Sequence, residues 1–262
     1  MSMNTYDRIG TGYDATRSAD PLLAQRLFDL LNTPVGASVV DVGCGTGNYT
    51  SFLAERGLRL TGLDPSERML EEARAKSDRV QWIQGHAEAM PFADGAFQAA
   101  VTTLTLHHWK DLGTGLAECG RILQPGARFV VFTSTPEQTG AYWLRHYFPR
   151  MIERSAASLP AEDRIIEGGM RAGLVLRERV PYTVEPDLQD LFLYARKHRP
   201  EAYLDPEFRK GISSFALLVS DDELERGLDA LSSDITSGKW ATIRDQHAHQ
   251  GGDYLHLVFE RQ

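Results

Sequence analysis

At 262 residues, 42% hydrophobic and 24% charged, the chain can bury a sizeable core and fits either one large domain or one domain with a substantial insertion. A formal charge of -8 repels polyanions and gives no electrostatic footprint for nucleic acid, and the only cysteines, Cys44 and Cys119, lack the spacing of a disulfide framework or a zinc site. No stretch has the apolar length of an export signal or a membrane span, so a soluble cytoplasmic protein with reduced thiols and no membrane partner is expected.

In chain order, "DPLLAQRLFDLLN" carries Leu22, Leu23, Leu27, Leu30 and Leu31 at helical spacing, with Asp20 as N-cap and Pro21 at the first helical position. "ASVVDV" reads as a short buried strand, "YTSFLAERG" as a helix stopped by Gly57, and "LRLTGLD" as a second strand. Ser66 caps the helix "SERMLEEARAKS". "VQWIQG" and "FQAAVTTLTL" supply two more strands, "LGTGLAECGRIL" a helix, and "ARFVVFTS" a fifth strand after the turn at Pro125 and Gly126. Strands alternating with helices of this length imply right-handed βαβ units and a parallel sheet covered on both faces.

After Ser134 the pattern changes. Residues 137–172 read as helical, "LVLRERVPYTVEP" as a sixth strand, residues 187–246 as a long helical stretch that includes "LQDLFLYARKHRP", and "DYLHLVFER" as a closing strand. The fold class is therefore α/β: a Rossmann-like, doubly wound, seven-stranded sheet, mostly parallel with its last strand antiparallel, and a helical cap inserted between the last two strands.

The organising stretch is "VVDVGCGTGNYT", followed by "LTGLDPS". Gly43, Gly45 and Gly47 form GxGxG, whereas the dinucleotide fingerprint is GxGxxG, and its last position here is Asn48. No GK[ST] follows, which removes a P-loop. Asp41 stands two residues before the loop, awkward beside a pyrophosphate and welcome beside a cation; the bland alternative is that it only holds the loop. Asp64 ends the second strand, where a carboxylate accepts from both hydroxyls of a ribose, or else merely caps the following helix. Ribose recognition beside an acidic, phosphate-free loop points to S-adenosylmethionine.

With these residues in register, the chain from about Tyr6 to Ser134 resembles the class I S-adenosylmethionine-dependent methyltransferases, in particular the small-molecule branch of the ubiquinone and menaquinone biosynthesis enzymes. The resemblance rests on "VVDVGCGTG", "LTGLDPS", "GHAEAMPF", "TLTLHHW" and "RILQPGARFVVFT", which occur in family order. It implies that Gly43 and Gly45 let the backbone approach the methionine part of the cofactor, that Asp41 meets its ammonium, and that Asp64 binds the ribose. It further implies that Ala87 offers its N–H to the adenine with Glu88 beside it, and that Thr103 contacts the methionine part. The residue before that alanine is often Asp in the family; here it is His86. Tyr13 and Arg17, in "YDRIGTGYDATR", resemble a lid over the cofactor carboxylate. The implied organisation is a lid at 1–20, a cofactor-binding domain at 21–186, a cap at 187–250 and a final strand at 251–262.

His107 and His108 lie just past the fourth strand, where the family places residues facing the substrate, so either is a candidate general base; the alternative is that both tie the loop to backbone. No metal motif is present in the sequence. Tyr194, Arg199, Ser213 and Ser214 are further candidates for the pocket wall. The expected activity is methyl transfer to an O, N, S or C atom of a small-molecule acceptor, with no nucleic-acid partner. The alternatives are another use of S-adenosylmethionine, a non-catalytic module that binds it, or a nicotinamide oxidoreductase.

Overall fold

A computed structural model describes residues 17–247 and 251–262. Tyr13 and the rest of the expected lid up to residue 16 lie outside the described residues. The strands are β1 (Ser38–Val42), β2 (Arg59–Asp64), β3 (Gln81–Gln84), β4 (Phe97–Thr103), β5 (Leu123–Thr133), β6 (Leu174–Tyr182) and β7 (Tyr254–Arg261). They form one seven-stranded sheet in the order β3-β2-β1-β4-β5-β7-β6. β1 to β5 pair in parallel, and β7 runs antiparallel between β5 and β6. The expected fold class is the observed one. Strand order reverses between β1 and β4, which opens a crevice beyond their carboxyl ends, where ligands bind in sheets of this type.

Alternation along the strands sends side chains into two cores. Val39, Val101 and Val130 face one layer, while Val40, Ala100 and Val131 face the other. On the first side lies α1 (Pro21–Leu31), whose Leu23, Leu27 and Leu31 are fully or almost fully buried, each contributing roughly 1.5–3 kcal/mol of apolar burial. Asp20 caps it by accepting from the Leu23 N–H at 2.9 Å, as the sequence indicates. Beside it runs α2 (Asn48–Glu55), and α3 (Glu67–Lys76) starts at Ser66, whose hydroxyl accepts from the Met69 N–H. The opposite core holds Leu116 and Ile122 of α4 (Leu112–Ile122), with Ile165 from the later α8 (Glu162–Arg171).

The cap is built from two stretches of chain. Between β5 and β6 come α5 (Pro136–Gly140), α6 (Leu144–Tyr147) and α7 (Pro149–Ser158). Between β6 and β7 come a 3₁₀ turn (Pro200–Leu204), α9 (Pro206–Lys210), α10 (Ser213–Leu217), α11 (Asp221–Thr236) and α12 (Lys239–Gln246). An aromatic cluster joins them: Trp143 meets Tyr203 and Trp240 edge-to-face, and Tyr142 stacks on Tyr194 at 3.8 Å. Glu223 of α11 caps α7 by accepting from the N–H groups of Arg150 and Met151, a carboxylate at the positive end of a helix.

Residues 187–199 differ from the sequence expectation: they form turns, with no helix before Pro200. The reason is a burial period of two. Leu188, Asp190, Phe192 and Tyr194 are all buried, and a helix would carry residues two apart to widely separated directions.

Candidate functional site

A cavity of about 420 Å³ opens at the carboxyl ends of β1, β2, β4 and β5, a size suited to a small ligand. Its first wall is the loop after β1. The Gly43 and Cys44 N–H groups both donate to the Leu63 carbonyl, at 2.7 and 3.0 Å, which folds the loop back over the end of β2. Gly43 has φ +79°, and a Cβ there would sit 2.3 Å from the Thr105 hydroxyl, so glycine is required on both conformational and steric grounds. Gly45 also needs a positive φ, +54°, but a Cβ there would meet nothing within 4 Å. The free space beside it belongs to the cavity it lines.

Asp64, at the end of β2, accepts from the Gly45 N–H on one oxygen and from the Ser66 N–H on the other, both at 2.9 Å. The structural reading of this residue is the one seen, since it braces the loop and the start of the next helix, and each oxygen keeps a second lone pair. Burial raises its pKa against the lowering effect of those two N–H donors.

Asp41 is almost wholly buried. One oxygen accepts from the Thr50 hydroxyl at 2.6 Å, and the other, Oδ1, has no partner within the protein. Burial pushes its carboxyl up to about 7, the Thr50 hydrogen bond opposes this, and the nearby Asp64 charge adds to it. Such a group lacks a cation or a donor. Cys44 lies beside both carboxylates, and burial, then their charges, raise its thiol well above the ordinary range, so it is no nucleophile.

Sequence reasoning missed the next contributor. Asp190, 1% exposed, accepts from Arg17 on both oxygens (Nε to Oδ1 2.5 Å, Nη2 to Oδ2 3.1 Å) and from the Tyr49 hydroxyl at 3.0 Å. Arg17 lines the cavity as expected, but its planar fork is matched to Asp190. Asn48 Nδ2 donates to the Arg17 carbonyl, and the second oxygen of Asp20 accepts from the Gln189 N–H. These contacts stitch the end of the N-terminal segment to the 187–193 turn across the crevice. The sequence around it, Leu188 to Ala195, has no apolar alternation that would have singled it out.

At the end of β4, Thr103 lines the cavity with a buried hydroxyl that has no partner. Leu104 follows with φ +54°, a left-handed conformation that strains a branched side chain by about 1–3 kcal/mol. The kink lays Thr105 over Gly43 and leads into the 3₁₀ turn Leu106–His108. His107 and His108 both line the cavity, with ring centroids 3.9 Å apart. Burial, then the neighbouring His108, lowers His107 to about 3, and His107 Nδ1 is buried without a partner. His108 is lowered by its surroundings as well; it is also the more exposed of the two, so solvent moderates that effect. Both rings are neutral at pH 7 and able to accept a hydrogen bond.

The structure brings Arg17, Asp41, Gly43, Gly45, Asp64, Thr103, His107 and His108 to one cavity, but not Ala87 or Glu88. Ala87 is buried in the second core, and Glu88 accepts from the backbone N–H groups of Lys110 and Asp111. Ser213 and Ser214 line the cavity; Tyr194 and Arg199 do not. Among the described residues no group of three His, Cys, Asp or Glu can hold a metal, and no helix is long and apolar enough to cross a membrane. The donor set suits a ligand that brings a cationic nitrogen to Asp41 and hydroxyls to Asp64.

Known proteins are similar to this chain in sequence and in fold. The family model described as "Methyltransferase domain" matches residues 40–131, from β1 through most of β5. A 2-phytyl-1,4-naphtoquinone methyltransferase of Thermosynechococcus vestitus is 37% identical over 45% of this chain and 55% of its own, so the chain spans only about half the length of that relative. A demethylmenaquinone methyltransferase of Thermus thermophilus is 32% identical over 64% of this chain and 77% of its own. A crystal structure from Anabaena variabilis, described as a methyltransferase from an antibiotic biosynthesis pathway, superposes with a TM-score of 0.84 at 31% identity, covering 94% of this chain and 99% of the other.

Proposed function

The chain belongs to the methyltransferase-domain family, and we propose from that premise that it is an S-adenosylmethionine-dependent methyltransferase acting on a small-molecule acceptor in the cytoplasm. The observation that carries the cofactor is the unpartnered Asp41 Oδ1 beneath the glycine loop, because a buried carboxylate raised to about 7 gains most from a cation. Asp41 would hold the ammonium, Asp64 the ribose hydroxyls with its remaining lone pairs, and the Gly43–Gly45 backbone the methionine chain. The quinone methyltransferases among the relatives act on small molecules, which supports the choice of acceptor class. The free thiols of Cys44 and Cys119 suit a reducing compartment.

S-adenosylmethionine supplies an activated sulfonium methyl when bound. What this chain contributes is alignment and exclusion of water: apolar cap residues such as Phe192 and Leu218 wall the cavity, and ordering two reactants in contact is the main requirement of such a displacement. His107, neutral and with a buried unpartnered Nδ1, would accept a hydrogen bond from the acceptor when its proton is on Nε2, and would so help to fix the atom to be methylated. Its depressed basicity makes it an orienting group first and a proton acceptor second.

Calorimetric titration of wild type and Asp64→Ala with S-adenosylmethionine and S-adenosylhomocysteine, with NAD as control, tests the cofactor. Binding of both adenosyl ligands, lost in the variant, supports it; binding of NAD alone overturns it. Product mass then separates methyl transfer from another alkyl transfer or a rearrangement.

A further inference from the structure

We infer that the acceptor of this enzyme is an uncharged molecule, an apolar body carrying hydroxyl or carbonyl oxygens and no carboxylate, phosphate or amine charge. The inference rests on the methyltransferase reading and narrows its substrate.

The cavity is electrically divided. Arg17, Asp41, Asp64 and Asp190 are the charged side chains among its described lining residues, and all four stand around the glycine loop and the turn that covers it. Asp190 already engages the Arg17 fork, Asp64 is braced by two backbone N–H groups, and Asp41 is the group left for the cofactor. None of them is a cation available to an anionic acceptor.

The other half, formed by the ends of β5 and β7, α7, α10 and the 190–193 turn, has a different chemistry. Its apolar wall is Leu159, Phe192, Leu193, Leu217, Leu218 and Tyr254. Its polar groups are hydroxyls: Ser134, Thr139, Ser155, Ser158, Ser213 and Ser214. Several already pair with one another, Ser155 with Ser214 at 3.1 Å across α7 and α10, and Ser134 with Thr139 at 2.9 Å. A hydroxyl so engaged still has a lone pair for a substrate O–H. Cations elsewhere in the cap are turned to other partners: Lys197 pairs with Asp253, and Arg154 donates to the Leu218 carbonyl.

Physics makes this composition selective. A carboxylate or phosphate entering such a wall leaves its water and meets only neutral dipoles among the described residues, and a buried charge without a counter-charge is strongly disfavoured. A cation meets the same penalty, because Asp190 at the edge of that half is already taken by the Arg17 fork and the Tyr49 hydroxyl. A neutral hydroxyl or carbonyl loses little, because serine hydroxyls and the vacant His107 Nδ1 take over from water.

The test uses protein saturated with S-adenosylhomocysteine and two calorimetric probes that differ only in a carboxylate, 2-naphthol and 6-hydroxy-2-naphthoate, at pH 7. The neutral probe is expected to bind at least about tenfold more tightly, equivalent to about 1.4 kcal/mol. Leu217→Lys, at a position 41% exposed on the cavity wall, is expected to close or invert that gap by supplying the missing cation. Equal binding of the two probes to wild type, tighter binding of the carboxylate, or no binding of either overturns the inference. The saturation step keeps the two claims apart. If S-adenosylhomocysteine itself fails to bind, the methyltransferase reading falls and takes the inference with it; if it binds and the probes do not discriminate, only the inference falls.

Discussion

Replacing Asp41 by Asn should uncouple cofactor affinity from pH. The carboxyl titrates at 3.8 in the unfolded chain and at about 7 in the fold, its second oxygen has no partner within the protein, and the residue lines the cavity. If only the ionised form receives the cofactor's ammonium, affinity follows the ionised fraction of Asp41. That fraction is most of the population at pH 7.5 and about 1% at pH 5, so the dissociation constant of S-adenosylhomocysteine should rise by about two orders of magnitude between them. The amine of the ligand stays largely protonated across this window, which leaves Asp41 as the group being read. In Asp41→Asn the side-chain oxygen can still accept from Thr50, so the loop keeps its anchor while the charge is gone. Affinity should be weaker at pH 7.5 and nearly flat down to pH 5.

The same substitution has an opposite effect on the ligand-free protein. Between pH 3.8 and 7 the fold holds a proton that the unfolded chain has released, so stability falls as pH rises through that window. Above pH 7 the full penalty is present, roughly 4 kcal/mol. Urea denaturation should find Asp41→Asn gaining on wild type as pH is raised from 4 to 8. Calorimetry from pH 5 to 7.5 is the deciding assay: a wild-type affinity that does not change, or a slope that Asp41→Asn retains, refutes the assignment of Asp41 to the ammonium.

Asp190→Asn leaves Arg17 opposite a neutral amide and should cost roughly 1–3 kcal/mol by urea unfolding, below the figure for a fully buried pair because Arg17 keeps 18% of its side chain exposed. An unchanged midpoint at constant slope would show that the stitch across the crevice contributes nothing. His107→Gln should lower kcat by about a hundredfold with S-adenosylhomocysteine affinity unchanged, and wild-type kcat should stay flat from pH 8 to 5, since burial holds His107 at about 3; an inflection in kcat near pH 6.5 contradicts this. His256, in β7 and 1% exposed, is lowered by burial from 6.5 to about 4. The unfolded chain therefore takes a proton that the fold refuses as pH falls from 6.5 to 4, and up to roughly 3 kcal/mol is lost across that window. His256→Phe, which keeps a ring against Phe132, should remove that acid sensitivity, and identical acid unfolding of the two proteins excludes it.

The sheet was legible because its signals are local. Asp20 before Pro21, Ser66 before Glu67 and the apolar runs of β1, β4 and β5 each specify an element with the residues at hand, and all are where the sequence puts them. Asp41, Gly43, Gly45 and Asp64 were equally readable, since they lie at strand ends that one topology brings together. Asp190 was hidden because its meaning depends on Tyr49 and Arg17, 141 and 173 residues away. Reading 187–199 as helix followed its spread of apolar and charged residues, and the alternate burial seen in the fold has no counterpart in the sequence, where residues 191–194 are all apolar. Ala87 and Glu88 stand outside the cavity lining, and the Glu88 carboxylate accepts from the Lys110 N–H.

Among the described residues, five buried side-chain atoms without a partner, on Ser51, Glu223, Trp240 and His256, lie away from the cavity. Such atoms also include Asp41 Oδ1, Thr103 Oγ1 and His107 Nδ1, and these three side chains line the cavity. Each such group costs about 1–3 kcal/mol, and Leu104 adds backbone strain between two of them. Under the proposed reading, a cation would relieve Asp41 on the cofactor side and a neutral oxygen would relieve His107 on the acceptor side. Binding of the first should therefore raise stability most at alkaline pH, where Asp41 is charged and unpaired, and binding of the second should add an increment that hardly varies with pH, because His107 is neutral throughout.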